Sequence, residues 1–120
     1  MKIAITAQGT TLSSEIDLRF GRAKTILVID TETGECQAVD NVLNMNAVKG
    51  AGIQTGQNIA NLDVTTVITG NVGPNAFKTL HAAGIKIYLA PQLTVAQAVE
   101  SFKKGALTEI DRENVEGHWV

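Results

Sequence analysis

Apolar residues along this 120-residue chain come in short bursts with two different periods. The runs KIAIT (2–6), TILVID (25–30), VTTVIT (64–69) and IKIYLA (85–90) are brief, apolar and rich in β-branched residues, the pattern of buried strands. ECQAVDNV (35–42) follows TILVID across TETG, whose Gly34 can take a positive φ, so the pair predicts a hairpin. The helical period fills the remaining stretches. In TVAQAVESFKK, Val95, Ala98, Val99 and Phe102 fall at i, i+3, i+4 and i+7; Thr94 and Gln97 are spaced as a capping box, and Gly105 is a stop. A second helix is predicted from Pro74, a residue suited to a first turn, through Phe77 and Leu80 to Gly84. A third runs from about Ala51 to Leu62, although Gly52 and Gly56 each cost about 1 kcal/mol relative to alanine inside a helix.

The resulting order is strand, hairpin, helix, strand, helix, strand, helix, which predicts an α/β layered domain with a mostly parallel sheet. In such a sheet the C-terminal strand ends share one edge, and ligands bind in the crevice outside it where the strand order reverses. The loop after the first strand (8–18), the segment before the first helix (41–52) and the turn GNVGP (70–74) are expected along that edge. RFGRA (19–23) joins them if the hairpin's first strand runs antiparallel to strand one.

Composition narrows the class. One domain is expected, with 44% hydrophobic and 18% charged residues and no linker. No apolar run reaches the roughly 20 residues of a membrane span, and MKIAIT opens directly as a strand, so no membrane association and a cytoplasmic location are expected. Cys36 is the sole cysteine and His81 and His118 are isolated, which argues against a disulfide, a CxxC pair or a protein-ligated metal site. The net charge of −2 is uneven: Glu109, Asp111, Glu113 and Glu116 stand against Arg112 alone, giving residues 109–120 a charge of −3 and leaving +1 on residues 1–108. That is too weak a field for nucleic acid to be the partner. The expected division is a domain at 1–108 and an acidic tail at 109–120, with no apolar periodicity, a loose course and Trp119 either tucked or exposed.

Local charge is more informative. Arg19 and Arg22 lie three residues apart, within about 10 Å, close enough to converge on one ligand. Two of the edge loops end at helix starts, where unpaired N–H groups and the helix dipole favour anions. Gly50, Gly52, Gly70 and Gly73 allow backbone to approach such a ligand, and with Lys49 on the rim the set reads as an anion cradle. Each feature also has a plainer role. Gly52 and Gly56 suit close helix-to-sheet packing, Arg19 and Arg22 suit a surface network with Glu15 or Asp17, Phe20 suits a core plug, Met45 a gap-filler and His81 a surface position.

Catalytic motifs are lacking. GAGIQTG has GxGxxxG spacing, follows no strand directly and has no acidic residue about 20 positions later, unlike a dinucleotide fingerprint. GNVGPNAF lacks the lysine and the serine or threonine of a P-loop. The aspartates Asp17, Asp30, Asp40 and Asp63 are dispersed, and no histidine lies in a motif that activates a hydroxyl. A non-enzymatic role is expected.

MKIAIT, RFGRA, KGAGIQTG, TGNVGPNAFKTLHAAGIKIYLA and TVAQAVESFKKG, in that order and spacing over residues 1–108, resemble the dinitrogenase iron-molybdenum cofactor-binding domain family. Within it the chain is similar to small free-standing members that carry a mixed molybdenum-copper sulfide cluster. The resemblance implies a three-layer α/β/α fold of RNase H-like type, with a five-stranded mixed sheet in order 3-2-1-4-5 and strand 2 antiparallel. It also implies non-covalent carriage of a preassembled anionic metal-sulfide cluster, held by backbone N–H donors, arginines and a partly apolar wall. The matching positions are Arg19, Phe20, Gly21 and Arg22; Gly50, Ala51 and Gly52; and Gly70, Asn71, Val72, Gly73 and Pro74. A molybdenum-copper sulfide cluster is the leading ligand, with a protein donor or acceptor as partner. The alternatives are a carrier of an iron-molybdenum-sulfur cofactor precursor for nitrogenase assembly and a metal-free module that senses a small anion. Many relatives place histidine or cysteine in these loops, whereas DLRFGRA and KGAGIQ contain neither.

Overall fold

A computed structural model describes residues 1–42, 46 and 50–115 of the chain. Its elements are β1 (Lys2–Ala7), a single 3₁₀ turn (Phe20–Arg22), β2 (Thr25–Asp30), β3 (Cys36–Asp40), α1 (Ala51–Ala60), β4 (Thr66–Thr69), α2 (Pro74–Ala82), β5 (Lys86–Leu89), α3 (Val95–Lys103) and β6 (Thr108–Ile110). They form one sheet in the order β3-β2-β1-β4-β5-β6. β2 is antiparallel to β1, in a register from Lys2↔Asp30 to Ala7↔Thr25, while β4 and β5 run parallel to β1. The α/β class and the central order 3-2-1-4-5 therefore match the sequence reading.

Alternation along the strands divides the core into two layers, because successive side chains point to opposite faces. Ala4, Ile26, Val28 and Val67 join Ile59 of α1 and Ala76 and Leu80 of α2 on one face. Ile3, Ile5, Leu27, Ile29 and Ile68 join Val95 and Ala98 of α3 on the other. α3 carries the predicted capping box, with the Gln97 N–H donating to Thr94 Oγ1 at 3.2 Å and the Thr94 N–H donating to Gln97 Oε1 at 3.0 Å. α1 stops at Ala60 and not at Leu62, because the bonding tightens from i→i−4 to i→i−3: the Asn61 N–H is shared between the Gln57 and Asn58 carbonyls, and the Leu62 N–H donates to the Ile59 carbonyl at 2.9 Å.

One expectation is corrected at the C-terminus: the sheet has six strands, not five. Thr108, Glu109 and Ile110 pair antiparallel with Leu89, Tyr88 and Ile87, so the strand overlaps the start of the segment expected to be a loose tail. Ile110 packs against the α1/α2 core layer and Leu107 against the α3 layer, an anchoring that a three-residue strand too short for visible periodicity still achieves. The Tyr88 hydroxyl donates to Glu109 Oε1 at 3.2 Å, and burial followed by the Glu109 charge raises the phenol's pKa. Met45, Lys49, His118 and Trp119 lie outside the described residues. Among the described residues, no helix is long and apolar enough to cross a membrane.

Candidate functional site

β1 and β4 are neighbours at the centre of the sheet, and the order runs outward from them in opposite directions, which makes their C-terminal ends the switch point. Thr6 and Thr69 stand there fully buried, their hydroxyls 2.7 Å apart. Thr6 Oγ1 donates to the Asp17 carbonyl at 2.7 Å, and the Asp17 N–H donates to the Thr6 carbonyl at 2.8 Å. A hydroxyl has one proton, so Thr69 supplies the proton shared with Thr6. The returning end of the 8–18 loop is thereby fastened to the sheet.

The next residues form the arginine turn. Asp17 Oδ1 accepts the Arg19 N–H at 2.9 Å, an Asx-type bend, and the Arg22 N–H closes the 3₁₀ turn onto the Arg19 carbonyl at 3.1 Å. Phe20 is fully buried in the α1/α2 core layer and anchors the turn from below. The Phe20 N–H donates to the Asn71 carbonyl at 3.2 Å, and Asn71 Nδ2 donates to the Leu18 carbonyl at 3.1 Å, joining this turn to the loop after β4. At Gly70 a Cβ would lie 2.7 Å from Leu18 Cα, and at Gly21 one would lie 2.7 Å from the Gly52 backbone nitrogen. RFGRA, the start of α1 and the Gly70–Pro74 turn are thus one contiguous surface.

Two of the three glycines of GAGIQTG, Gly52 and Gly56, have separate packing roles. Gly52 receives Gly21, while a Cβ on Gly56 would lie 3.0 Å from Thr79 Cγ2 of α2, so Gly56 sets the approach of the two helices. α1 is held to the sheet by the buried Asn41, whose Nδ2 donates to the Ala23 carbonyl at 2.8 Å and to Thr55 Oγ1 at 3.1 Å.

The helix starts differ in a way that bears on ligand chemistry. α1 begins from Gly50 at φ 74° and α2 from Gly73, and among the described residues neither start has a side-chain cap. At α3 the Gln97 N–H is capped by Thr94, and the Val95 and Ala96 N–H groups donate to the Ser14 and Leu12 carbonyls at 2.8 and 2.9 Å. Two uncapped helix starts therefore flank the arginine turn while the third is sealed, an arrangement that favours an anion on the α1/α2 side.

Arg19 and Gly50 are exposed; Arg22, Gly70, Asn71 and Pro74 are half-buried. Gly21, Gly52 and Gly73 are buried. The side chains of Phe20, Ala51 and Val72 are almost or wholly removed from solvent, which restricts their part in any site to backbone groups and anchoring. Among the described residues no ion pair joins Arg19 to Asp17 or Glu15. Glu15 instead accepts from Gln92 Nε2 at 2.9 Å. Among the described residues no three His, Cys, Asp or Glu side chains form a metal-ion set. His81 is exposed on α2 and stacked on Phe77, with ring centroids 5.5 Å apart.

Sequence reasoning missed Thr6, Thr69, Asn41 and Asn114. Each acts through hydrogen bonds to residues distant in the chain, and no local motif marks such a role. Asn114 donates from Nδ2 to the Gly70 carbonyl at 3.3 Å and to Asn71 Oδ1 at 3.2 Å. Its Oδ1 accepts the Val72 N–H at 2.7 Å, and its own N–H donates to the Val72 carbonyl at 3.1 Å.

Comparison with known proteins gives consistent results. The apo form of the orange protein from Desulfovibrio gigas superposes with a TM-score of 0.92 at 40% identity, over 95% of this chain and 96% of that one. A NifB-like protein of the DUF35 family from Thermotoga gives a TM-score of 0.84 at 37% identity, over 97% and 98% of the two chains. An uncharacterized protein of Methanocaldococcus jannaschii is 28% identical over 113 residues, 92% of each chain. Residues 1–105 match the family model described as dinitrogenase iron-molybdenum cofactor, and the chain belongs to that family.

Proposed function

We propose that this protein binds and carries a preassembled anionic metal-sulfide cluster, with a molybdenum-copper sulfide cluster as its cargo, and that it acts as a carrier and not as an enzyme. The observation that carries the reading is the meeting of two uncapped helix starts with the arginine turn at the switch point. A sulfide cluster whose metal sites are already filled needs no cysteine or histidine from its host; backbone N–H groups and guanidinium charges match its outer sulfides. Arg19, Arg22, Gly50, Gly70, Asn71 and Pro74 form the exposed or half-exposed part of this cradle, and Phe20, Gly21, Ala51, Gly52, Val72 and Gly73 back it. The similarity to a relative solved in an apo form supports the presence of a removable guest. A protein that donates or accepts the cluster is the corresponding partner.

A second reading, carriage of an iron-molybdenum-sulfur precursor for nitrogenase assembly, is favoured by the family's own description. The two are separated by reconstitution. Mixing the apo-protein with tetrathiomolybdate and copper is expected to give a visible chromophore that stays with the protein through gel filtration at low salt. Colour eluting with the small molecules counts against the first reading, and anaerobic transfer of isolated precursor to the protein then decides the second. A colourless protein free of molybdenum, yet with a melting temperature raised by phosphate or a carboxylate, supports an anion-sensing module in their place.

A further inference from the structure

Beyond the end of the family match at residue 105, Asp111–Asn114 bring the chain from β6 back to the switch point, where Asn114 makes four hydrogen bonds to three consecutive residues, Gly70, Asn71 and Val72. The Val72 N–H and carbonyl are both engaged by Asn114, through its side chain and its backbone respectively, as a neighbouring strand would engage them. The loop so held leads directly into Gly73 and the uncapped start of α2. Its other side is fixed to the arginine turn through Asn71, whose Nδ2 donates to Leu18 and whose carbonyl accepts from Phe20. A glycine-containing loop has much conformational freedom to lose, so whatever fixes it determines where the N–H groups after it point.

We infer that Asn114 is a positioning residue for the cluster site: it locks the Gly70–Val72 loop so that the N–H groups at the start of α2 and the side chain of Arg19 face one cargo. The inference rests on the proposed carriage of an anionic cluster. Asn114 touches no cargo itself, and it acts through the loop.

The test uses the full-length chain as Asn114→Ala and Asn114→Asp, reconstituted with tetrathiomolybdate and copper, and follows loss of colour during gel filtration at several salt concentrations below the melting temperature. Asn114→Ala is expected to release the chromophore about tenfold faster than wild type, the scale of one or two lost hydrogen bonds. Asn114→Asp keeps an acceptor for the Val72 N–H but places a negative charge beside the cargo. It is expected to release colour faster still at low salt and to converge on Asn114→Ala at high salt, a salt dependence that general destabilisation does not produce. Amide exchange at Val72 and Gly73 is expected to accelerate in Asn114→Ala while β1 and β2 keep their protection. Wild-type protein that holds colour, beside an Asn114→Ala variant that holds it equally long, overturns the inference and leaves cluster carriage standing. Wild-type protein that holds no colour overturns carriage itself, and the inference with it.

Discussion

Arg19 owes its position to three neighbours that contribute no positive charge. Asp17 bends the backbone, Phe20 roots the turn in the core, and Gly21 allows it to rest on Gly52. Removing the guanidinium therefore leaves the scaffold intact, since Arg19 is exposed and forms no ion pair among the described residues. Arg19→Ala is expected to weaken retention of the reconstituted chromophore by about 1.5 to 3 kcal/mol, the worth of a charge-assisted hydrogen bond. The loss should shrink as salt is added, with the melting temperature unchanged. Gel filtration of the loaded variant over a salt series, together with thermal denaturation of the apo form, checks both parts. An equal loss at every salt concentration would assign Arg19 a packing role.

The β2–β3 hairpin shows how one element carries its own pH dependence. Asp30 ends β2 and accepts the Glu32 and Thr33 N–H groups at 2.9 and 3.3 Å, which hold its carboxyl below the usual 3.8. A carboxyl depressed in the folded state stabilises it fully above the ordinary pKa and loses that contribution as pH falls through the folded-state value. From about pH 5 downward, the stability difference between wild type and Asp30→Asn is expected to shrink, as measured by denaturant midpoints. Elements of this kind were legible in the sequence because their signals are local: Gly34 at φ 80° turns the hairpin, and Thr94 with Gln97 starts α3. β6 was not legible, because Thr-Glu-Ile is too short to show a period and looks acidic, and its strand character comes from the free edge of β5. The arginine turn and the glycine loops of the site were visible as residue types. The lock from Asn114 and the Gly21–Gly52 approach were invisible, because each pairs residues more than thirty positions apart whose meeting only the fold determines.

At the scale of the molecule, the sheet and the loops at its switch point are one mechanical unit. The hydroxyl chain runs in one direction, from Thr69 to Thr6 to the Asp17 carbonyl, and replacing its members has unequal effects. Thr69→Val leaves Thr6 donating as before and strands only one acceptor, so the expected cost is about 1 to 2 kcal/mol. Thr6→Val leaves both the Asp17 carbonyl and the Thr69 hydroxyl without this partner and should cost more. Urea denaturation of the two variants gives the ranking; an equal cost would mean that the proton order is not as assigned. This buried link also bears on the proposed cradle. The loop bearing the arginines is tied to the ends of two adjacent strands whose separation is fixed at about 4.8 Å by their ladder. Moving that side of the proposed cradle outward means breaking the paired Thr6–Asp17 hydrogen bonds, so it stands as a stiff jamb against which a guest would seat.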